Sequence, residues 1–380
     1  MGHPPENLKE WLRLNLISGI TREKYLTLLN NFGNPENVFK SKKSDLQRAG
    51  PFDEEFVSKI FSPPTDNEVE RELNLISKHN VSLLTIDDSD YPINLKYVQN
   101  PPPLLYIKGK IEKCDRFSIT IVGTRNPTEY GKWAAKRFAE QLSRWSLTIV
   151  SGMAIGIDSA AHRAALSVDN GRTIAVLGNG LARCYPSLNR KLMEQISSNG
   201  AVISEFPMET QPEAYNFPKR NEILSGLSLA TLVIEARETS GSLITARLAI
   251  EGNKFVFALP GDINRETSKG TNLLLRSGAI PVLSPEDVIN DLNPQLKAML
   301  KESMPESVER HIPTISEDAL SEKEKIVYAL IKREPCSLDD LIFILSEKQI
   351  SHPDLLNLLL QLELKSLIEK LPGQIYTIKG

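Results

Sequence analysis

Four short stretches carry anion-seeking side chains, three of them beside glycines. Gly123-Thr124-Arg125 follows the apolar run SITIV, and Ser151-Gly152 opens SGMAIGID (151–158). Lys219-Arg220-Asn221 stand together in NFPKRNEILSGLS (216–228), and Ser240-Gly241-Ser242 lie within EARETSGSLITARLAIE (235–251). Gly178-Asn179-Gly180 adds backbone donors without a cation. Guanidinium and ammonium groups, hydroxyls and the free N–H groups of a helix start all suit phosphate oxygens. The dinucleotide fingerprint would need two further glycines at fixed spacing after Gly123, and they are absent. The pattern therefore describes a broad phosphate-binding rim, wider than one pyrophosphate cradle. Phe217 and Tyr215 are the aromatic side chains placed to stack on bases.

Other residues invite a catalytic reading. Asp158 and His162 stand four apart on a helical pattern, but without a third ligand they read as a cap and a helix-packing imidazole. Glu235 at a strand end has no acidic or histidine partner at a defensible spacing. The three cysteines (Cys114, Cys184, Cys336) and five histidines are scattered, with no CxxC pair. No metal site and no cofactor are expected.

The elements that must position these residues alternate. SITIVG (118–123), LTIVS (147–151), TIAVL (173–177), AVIS (201–204), ATLVIE (230–235) and FVFAL (255–259) read as buried strands. Helical patterns fill 130–145, 158–168, 188–198 and 241–252. Near-continuous apolar strands separated by helices indicate an α/β fold with a doubly wound parallel sheet. Such sheets bind ligands beyond the carboxyl ends of their strands, where the anion-seeking stretches fall.

Flanking segments differ in kind. Residues 1–82 show helical spacing broken at Ser18-Gly19 and at Phe32-Gly33-Asn34-Pro35, a small SAM-like or helix-hairpin-helix module. Arg22 and Lys24 beside its first turn offer little for a DNA backbone, so packing is its expected role. DDSDYPINLKYVQNPPPLLYIKG (87–109) reads as an ordered extended connector, opening an α/β domain over 83–295. A polar linker over 296–320 precedes a winged helix over 321–380, three helices and a β-wing. The third helix, near DLLNLLLQLELKSLIEK, carries cations only at Lys365 and Lys370 and more leucine than a three-helix core should bury. It is expected not to read DNA, and to offer part of its leucine surface to a partner.

Composition bounds the rest. Of 380 residues, 41% are apolar and 24% charged, as in a globular protein of two or three domains. No apolar run approaches the ~18 residues of a membrane helix, and the N-terminus lacks a secretory layout, so the chain reads as cytoplasmic with no membrane insertion. Net charge is −3 overall, yet residues 116–290 hold 19 basic against 16 acidic side chains. A polyanion site belongs in that middle segment.

GTR (123–125), SGMAIGIDSAAH (151–162), TIAVLGNG (173–180), YP (185–186), SEFP (204–207), FPKRNEILSGLS (217–228), EARETSGSLITA (235–246), ALPG (258–261) and GTNLLLRSGA (270–279) resemble the DprA/Smf DNA-processing proteins in order through some 170 residues. The resemblance implies an extended Rossmann core that binds single-stranded DNA, forms a homodimer and hands the strand to the RecA recombinase, chiefly in natural transformation. By motif position it places Arg125, Ser151, Gly152, Lys219, Arg220, Asn221, Ser240, Gly241 and Ser242 in the DNA pocket. Gly123 and Phe217 join them from the strand-end and stacking arguments.

This sequence departs from the family where Glu222 stands in place of a frequent arginine, and at Ile155. A carboxylate beside Arg220 is expected to weaken phosphate attraction. An enzymatic alternative compares the chain with lysine-decarboxylase-like Rossmann proteins that cleave nucleoside monophosphates with PGGxGTxxE. Aligning that threonine with Thr245 puts Leu248 at the glutamate position, and leucine does no acid/base chemistry; Glu251 lies one helical turn further on. The expectation is a binder with no catalytic residues.

Overall fold

The computed structural model describes residues 8–292, 321–333, 336–346, 352–364, 367–371 and 375–378. The chain divides into two compact units, 1–303 and 304–380. The linker expected over 296–320 lies outside the described residues.

In the first unit, six helices come before any strand: α1 (Leu8–Asn15), α2 (Arg22–Phe32), α3 (Pro35–Lys40), α4 (Lys43–Ala49), α5 (Glu54–Phe61) and α6 (Asp66–Lys78). Their boundaries follow the local chemistry. Thr21 caps α2 by accepting from the Lys24 N–H, and Asn34 caps α3 with Pro35 at its first position. Thr65 and Glu68 form a reciprocal capping box at α6. Trp11, Tyr25, Leu28, Phe56 and Val57 are buried together as the core of this module.

The sheet that follows has nine strands: β1 (Val81–Thr85), β2 (Leu104–Gly109), β3 (Ser118–Val122), β4 (Thr148–Ser151), β5 (Thr173–Val176), β6 (Gly200–Ser204), β7 (Ala230–Val233), β8 (Phe255–Ala258) and β9 (Ile280–Pro281). Their order is β1-β2-β6-β5-β4-β3-β7-β8-β9. Every pairing from β6 to β9 is parallel, while β2 runs antiparallel to both β1 and β6. The six strands expected from the apolar runs are all present. The connector is corrected: 87–109 holds a short helix, α7 (Ile93–Lys96), and strand β2, whose LLY segment is buried. The proline run at 101–103 masks that strand, because the ladder begins only at Leu104, once the prolines are past.

Helices α8 (Glu129–Arg144), α9 (Ile157–Leu166), α10 (Arg190–Ser198), α11 (Asn216–Leu227), α12 (Gly241–Glu251), α13 (Glu266–Arg276) and α14 (Pro285–Asp291) cover the sheet. Alternation along each strand sorts them. Ile119, Ile121, Ile149 and Leu232 meet Ala134, Phe138 and Ala161 of α8 and α9 on one face. Val122, Val150, Val176 and Val233 meet Ile223, Leu224 and Ala246 of α11 and α12 on the other.

The second unit has helices Glu322–Arg333, Leu338–Ser346 and His352–Leu364, with strands Cys336–Ser337, Ile368–Leu371 and Ile375–Ile378 forming a small antiparallel sheet. Leu355, Leu359 and Leu362 enter its core, whereas Leu356 is 43% exposed. Lys365 lies outside the described residues. Among the described residues no helix is long and apolar enough to cross a membrane.

Candidate nucleic-acid interface

Strand order reverses at β3 and β7. From β3 the chain steps outward through β4, β5 and β6, then returns across the sheet to β7, on the other side of β3. The loop after β3 feeds α8 on one face, and the loop after β7 feeds α12 on the other. A crevice must open between two loops that part in this way. A cleft of about 300 Å³ lies there, lined by Gly123, Thr124, Arg125 and Asn126 from one loop and by Arg237, Thr239, Ser240, Gly241 and Ser242 from the other.

The β3 loop is braced from behind. The Thr124 N–H donates to the Glu235 carbonyl at 2.7 Å. The Glu235 carboxylate accepts from the Thr128 N–H at 2.9 Å and from its hydroxyl at 2.5 Å. A Cβ on Gly131 would meet that carboxylate, so a side chain there would displace the brace. Glu235 is thereby a strut for the loop. Its carboxylate is spoken for, which fits the lack of a catalytic partner in the sequence.

Arg125 projects from this braced loop. It is exposed and makes no ion pair among the described residues. Its guanidinium lies 5.9 Å from the Phe217 ring centroid, and Arg220 lies 5.7 Å from the same ring. Tyr185 meets Phe217 at 6.0 Å, tilted by 41°. A second cleft of about 80 Å³ shares Arg125, Phe217 and Arg220 with the first and adds Gly152, Ile155 and Tyr185. Cations flanking an aromatic ring between two clefts make a place where a phosphate and a base can be held side by side. Tyr215 is 67% exposed and lines neither cleft.

NFPKRNEILSGL, expected at the carboxyl end of a strand, is helical: α11 begins at Asn216. Consecutive residues on a helix point about 100° apart, so Lys219, Arg220 and Asn221 cannot share one rim. Arg220 and Asn221 turn inward and are buried. The Arg220 Nη1 donates to the carbonyls of Gly152 and Val176, the latter at 2.9 Å, and its Nε donates to Asn221 Oδ1 at 3.0 Å. Burial lowers its pKa. Arg220 therefore forms the floor of both clefts, with part of its donor set already engaged.

Lys219 is exposed and borders a different cleft, between the N-terminal helices and the sheet. Glu222 borders that cleft too, where its carboxylate accepts from Arg22 Nη1 at 2.6 Å. Arg22 also holds Glu205 with Nε and Nη2, and it donates to the Lys219 carbonyl at 2.7 Å. The expected restraint of Arg220 by Glu222 is corrected: the carboxylate points away from the rim and is neutralised by the N-terminal module. At its other end α11 is pinned by the Lys254 ammonium, which donates to the Ser225 and Gly226 carbonyls at 2.7 and 2.6 Å.

The β4 loop contributes less than its glycines suggest. Ser151 is fully buried and donates to the Ile121 carbonyl at 2.6 Å, out of reach of either cleft. The N–H groups of Gly152 and Ala154 donate to Asp158 Oδ2 at 3.1 and 3.4 Å, so this loop answers its own donors. A side chain on Gly152 would strike the Arg220 guanidinium and Asp158. Burial raises the Asp158 pKa against the pull of Arg220 and those two amides. His162 is buried, with Nδ1 2.7 Å from Thr173 Oγ1 and, among the described residues, no hydrogen-bond partner for Nε2. Burial, then Arg163 and Arg220, push its pKa down to about 3, so it is neutral. Asp158 and His162 serve packing and loop closure.

On the β7 side, Ser240 caps α12: its Oγ accepts from the Ser242 N–H at 3.4 Å and meets the Ser242 hydroxyl at 2.7 Å. Gly241 is exposed with open space around its Cα. Thr245 is buried at the cleft wall, Leu248 follows one turn on, and Glu251 is exposed at the far end of α12. Arg237 was missed by the sequence reading. It is exposed, makes no ion pair among the described residues, and lines the same cleft as Arg125 from the other loop. Its signal was present, since it is the lone cation of the loop following the strand beside β3. Among the described residues no cluster of three metal-ligating side chains occurs.

Known proteins resemble this chain. The family model described as DNA recombination-mediator protein A matches residues 82–293, and the DprA winged helix domain matches 313–374. Protein Smf of Synechocystis sp. is 33% identical over 393 residues, covering 96% of this chain and 97% of its own. DNA processing protein A (DprA) of Streptococcus pneumoniae superposes with a TM-score of 0.67 at 32% identity, over 77% of this chain and 99% of that one. DNA processing protein A of Helicobacter pylori, solved for its single-stranded DNA binding mode, superposes with a TM-score of 0.52 at 32% identity, over 60% of this chain and 98% of that one.

Proposed function

The chain belongs to the DNA recombination-mediator protein A family, DprA/Smf, and from that premise we propose that it binds single-stranded DNA through phosphates at the β3–β7 crevice, with little sequence preference. The observation that carries the reading is a pair of exposed arginines, Arg125 and Arg237, on opposite loops of one cleft and without an ion pair among the described residues. Phosphate contacts position a strand without reading it. Gly123, Asn221, Ser240, Gly241 and Ser242 line the crevice; Phe217 supplies the stacking surface and Arg220 the positive floor. Gly152 keeps the floor open by lacking a side chain. Ser151 and Lys219 act at one remove, in the sheet and on the outer face of α11.

The bound strand is then handed to the RecA recombinase by a homodimer, in recombination and natural transformation. Family membership supports this step, and Ile263 and Leu283, exposed in the segments that follow β8 and β9, offer apolar surface for a second copy. Binding without catalysis fits a lining whose carboxylate, Asp158, is buried and engaged by two loop amides. A filter-binding titration with single-stranded DNA, duplex and RNA of equal length tests the reading. Single strands should bind tightest, and equal affinity for duplex would end it. Recombinase loading is read separately, as faster onset of RecA ATP hydrolysis on strands precoated with single-strand-binding protein.

A further inference from the structure

Helix α8 leaves the Arg125 loop with an unusual outer face. Tyr130 and Trp133 are 45% and 53% exposed and stack on each other, centroids 5.9 Å apart and planes 29° apart. One turn further on, the Arg137 guanidinium lies 5.3 Å from the Trp133 ring and makes no ion pair among the described residues. Residues 130, 133 and 137 follow helical spacing, so the three side chains form one strip. The inner face of the same helix is fully used by Ala134, Ala135, Phe138 and Leu142 in the core. The strip is therefore not needed for packing.

Charge complements this strip to a polyanion. Glu129–Arg144 carries four basic and two acidic side chains, and Glu129 is held by Lys132 at 2.7 Å. Exposed stacked rings beside a free guanidinium are the surface that successive bases and their phosphates take up in sequence-independent single-strand binding. Placement adds to this, because Tyr130 comes five residues after Arg125 and α8 starts at the strut that fixes the Arg125 loop.

We infer that Tyr130, Trp133 and Arg137 form a second nucleic-acid subsite, a base-stacking platform that receives single-stranded DNA leaving the β3–β7 crevice. The inference rests on the function proposed for that crevice and extends the footprint along α8. A strand short enough to fill the crevice alone would never touch it.

The test uses the full chain with oligothymidylates of about 6 and about 20 nucleotides, lengths that bracket a single compact binding site. Trp11 is buried and Trp145 half-buried, so an exposed-tryptophan quench reports on Trp133. The 20-mer should quench it and the 6-mer should not. Tyr130→Ala with Trp133→Ala should weaken the 20-mer by about 5-fold or more and leave the 6-mer unchanged. Trp133→Phe, which keeps a ring, should retain most of the affinity. A double variant that binds the 20-mer as tightly as the unaltered protein overturns the platform alone. Failure of the unaltered protein to bind either oligonucleotide at low salt overturns the crevice reading, and the platform with it.

Discussion

Two regions of the first unit are built around arginine, and they use it in opposite ways. In the β3–β7 crevice, Arg125 and Arg237 are exposed and without an ion pair among the described residues, backed by a loop braced by Glu235. At the junction with the N-terminal helices, Arg22 is almost fully consumed, its guanidinium shared among Glu205, Glu222 and the Lys219 carbonyl. Arg220 lies between these extremes, with two carbonyls on one nitrogen and an aromatic face beside it. A cation whose donors are used up holds the protein together, and one whose donors are free can hold something else. Residue type alone does not separate the two.

The largest effect should come from breaking the consumed arginine. Arg22→Ala leaves Glu205, itself nearly buried, without its cation, and removing one partner from a buried pair costs about 3–5 kcal/mol. Urea unfolding should register the loss, while the salt dependence of DNA binding by the folded fraction should stay the same. A variant of unchanged stability would show that the junction is not a clasp.

The pH dependence of His162 comes next. Its pKa is about 3 in the fold against about 6.5 in an unfolded chain, so the unfolded state takes up the proton first. The stability of the neutral, buried ring is complete above pH 6.5 and is lost as pH falls toward 3. At pH 5 the loss is about 2 kcal/mol. Urea unfolding at pH 7 and pH 5 should show it, and His162→Gln should flatten the difference. An equal difference in that variant would move the titration to another group.

Much of this was legible in the sequence, and the failures have physical causes. Apolar runs located the six parallel strands because a strand buried on both faces has almost no polar residues. The crevice was legible as well, since strand ends in such a sheet are where glycine and cations gather. Lys219, Arg220 and Asn221 were read as one cluster because adjacency in sequence was taken for adjacency in space. On α11 they diverge, and Pro218 in the first turn of that helix disguised its start. Ser151 was misplaced for a related reason: a hydroxyl at a strand end can point into the sheet, and this one bridges β4 to β3. Arg22 and Glu222 lie 200 residues apart, so no local pattern could have paired them.

The smallest effects sharpen the comparison from the other side. Lys219→Ala and Glu222→Gln should each change single-strand affinity by no more than about 0.5 kcal/mol, as expected away from an interface. Glu222→Gln should lower stability by about 1 kcal/mol through its half-exposed pair with Arg22. A marked gain of DNA affinity in Glu222→Gln would return that carboxylate to the rim.

If arginines on two loops grip phosphates, the slope of log affinity against log salt measures the grip directly. Each phosphate contact removed lowers the slope by about 0.7 to 1 for a single strand. Arg125→Ala and Arg237→Ala should each lower it by about one, and the double variant by about two, while Lys219→Ala leaves it unaltered. A double variant with the slope of the unaltered protein would contradict the account.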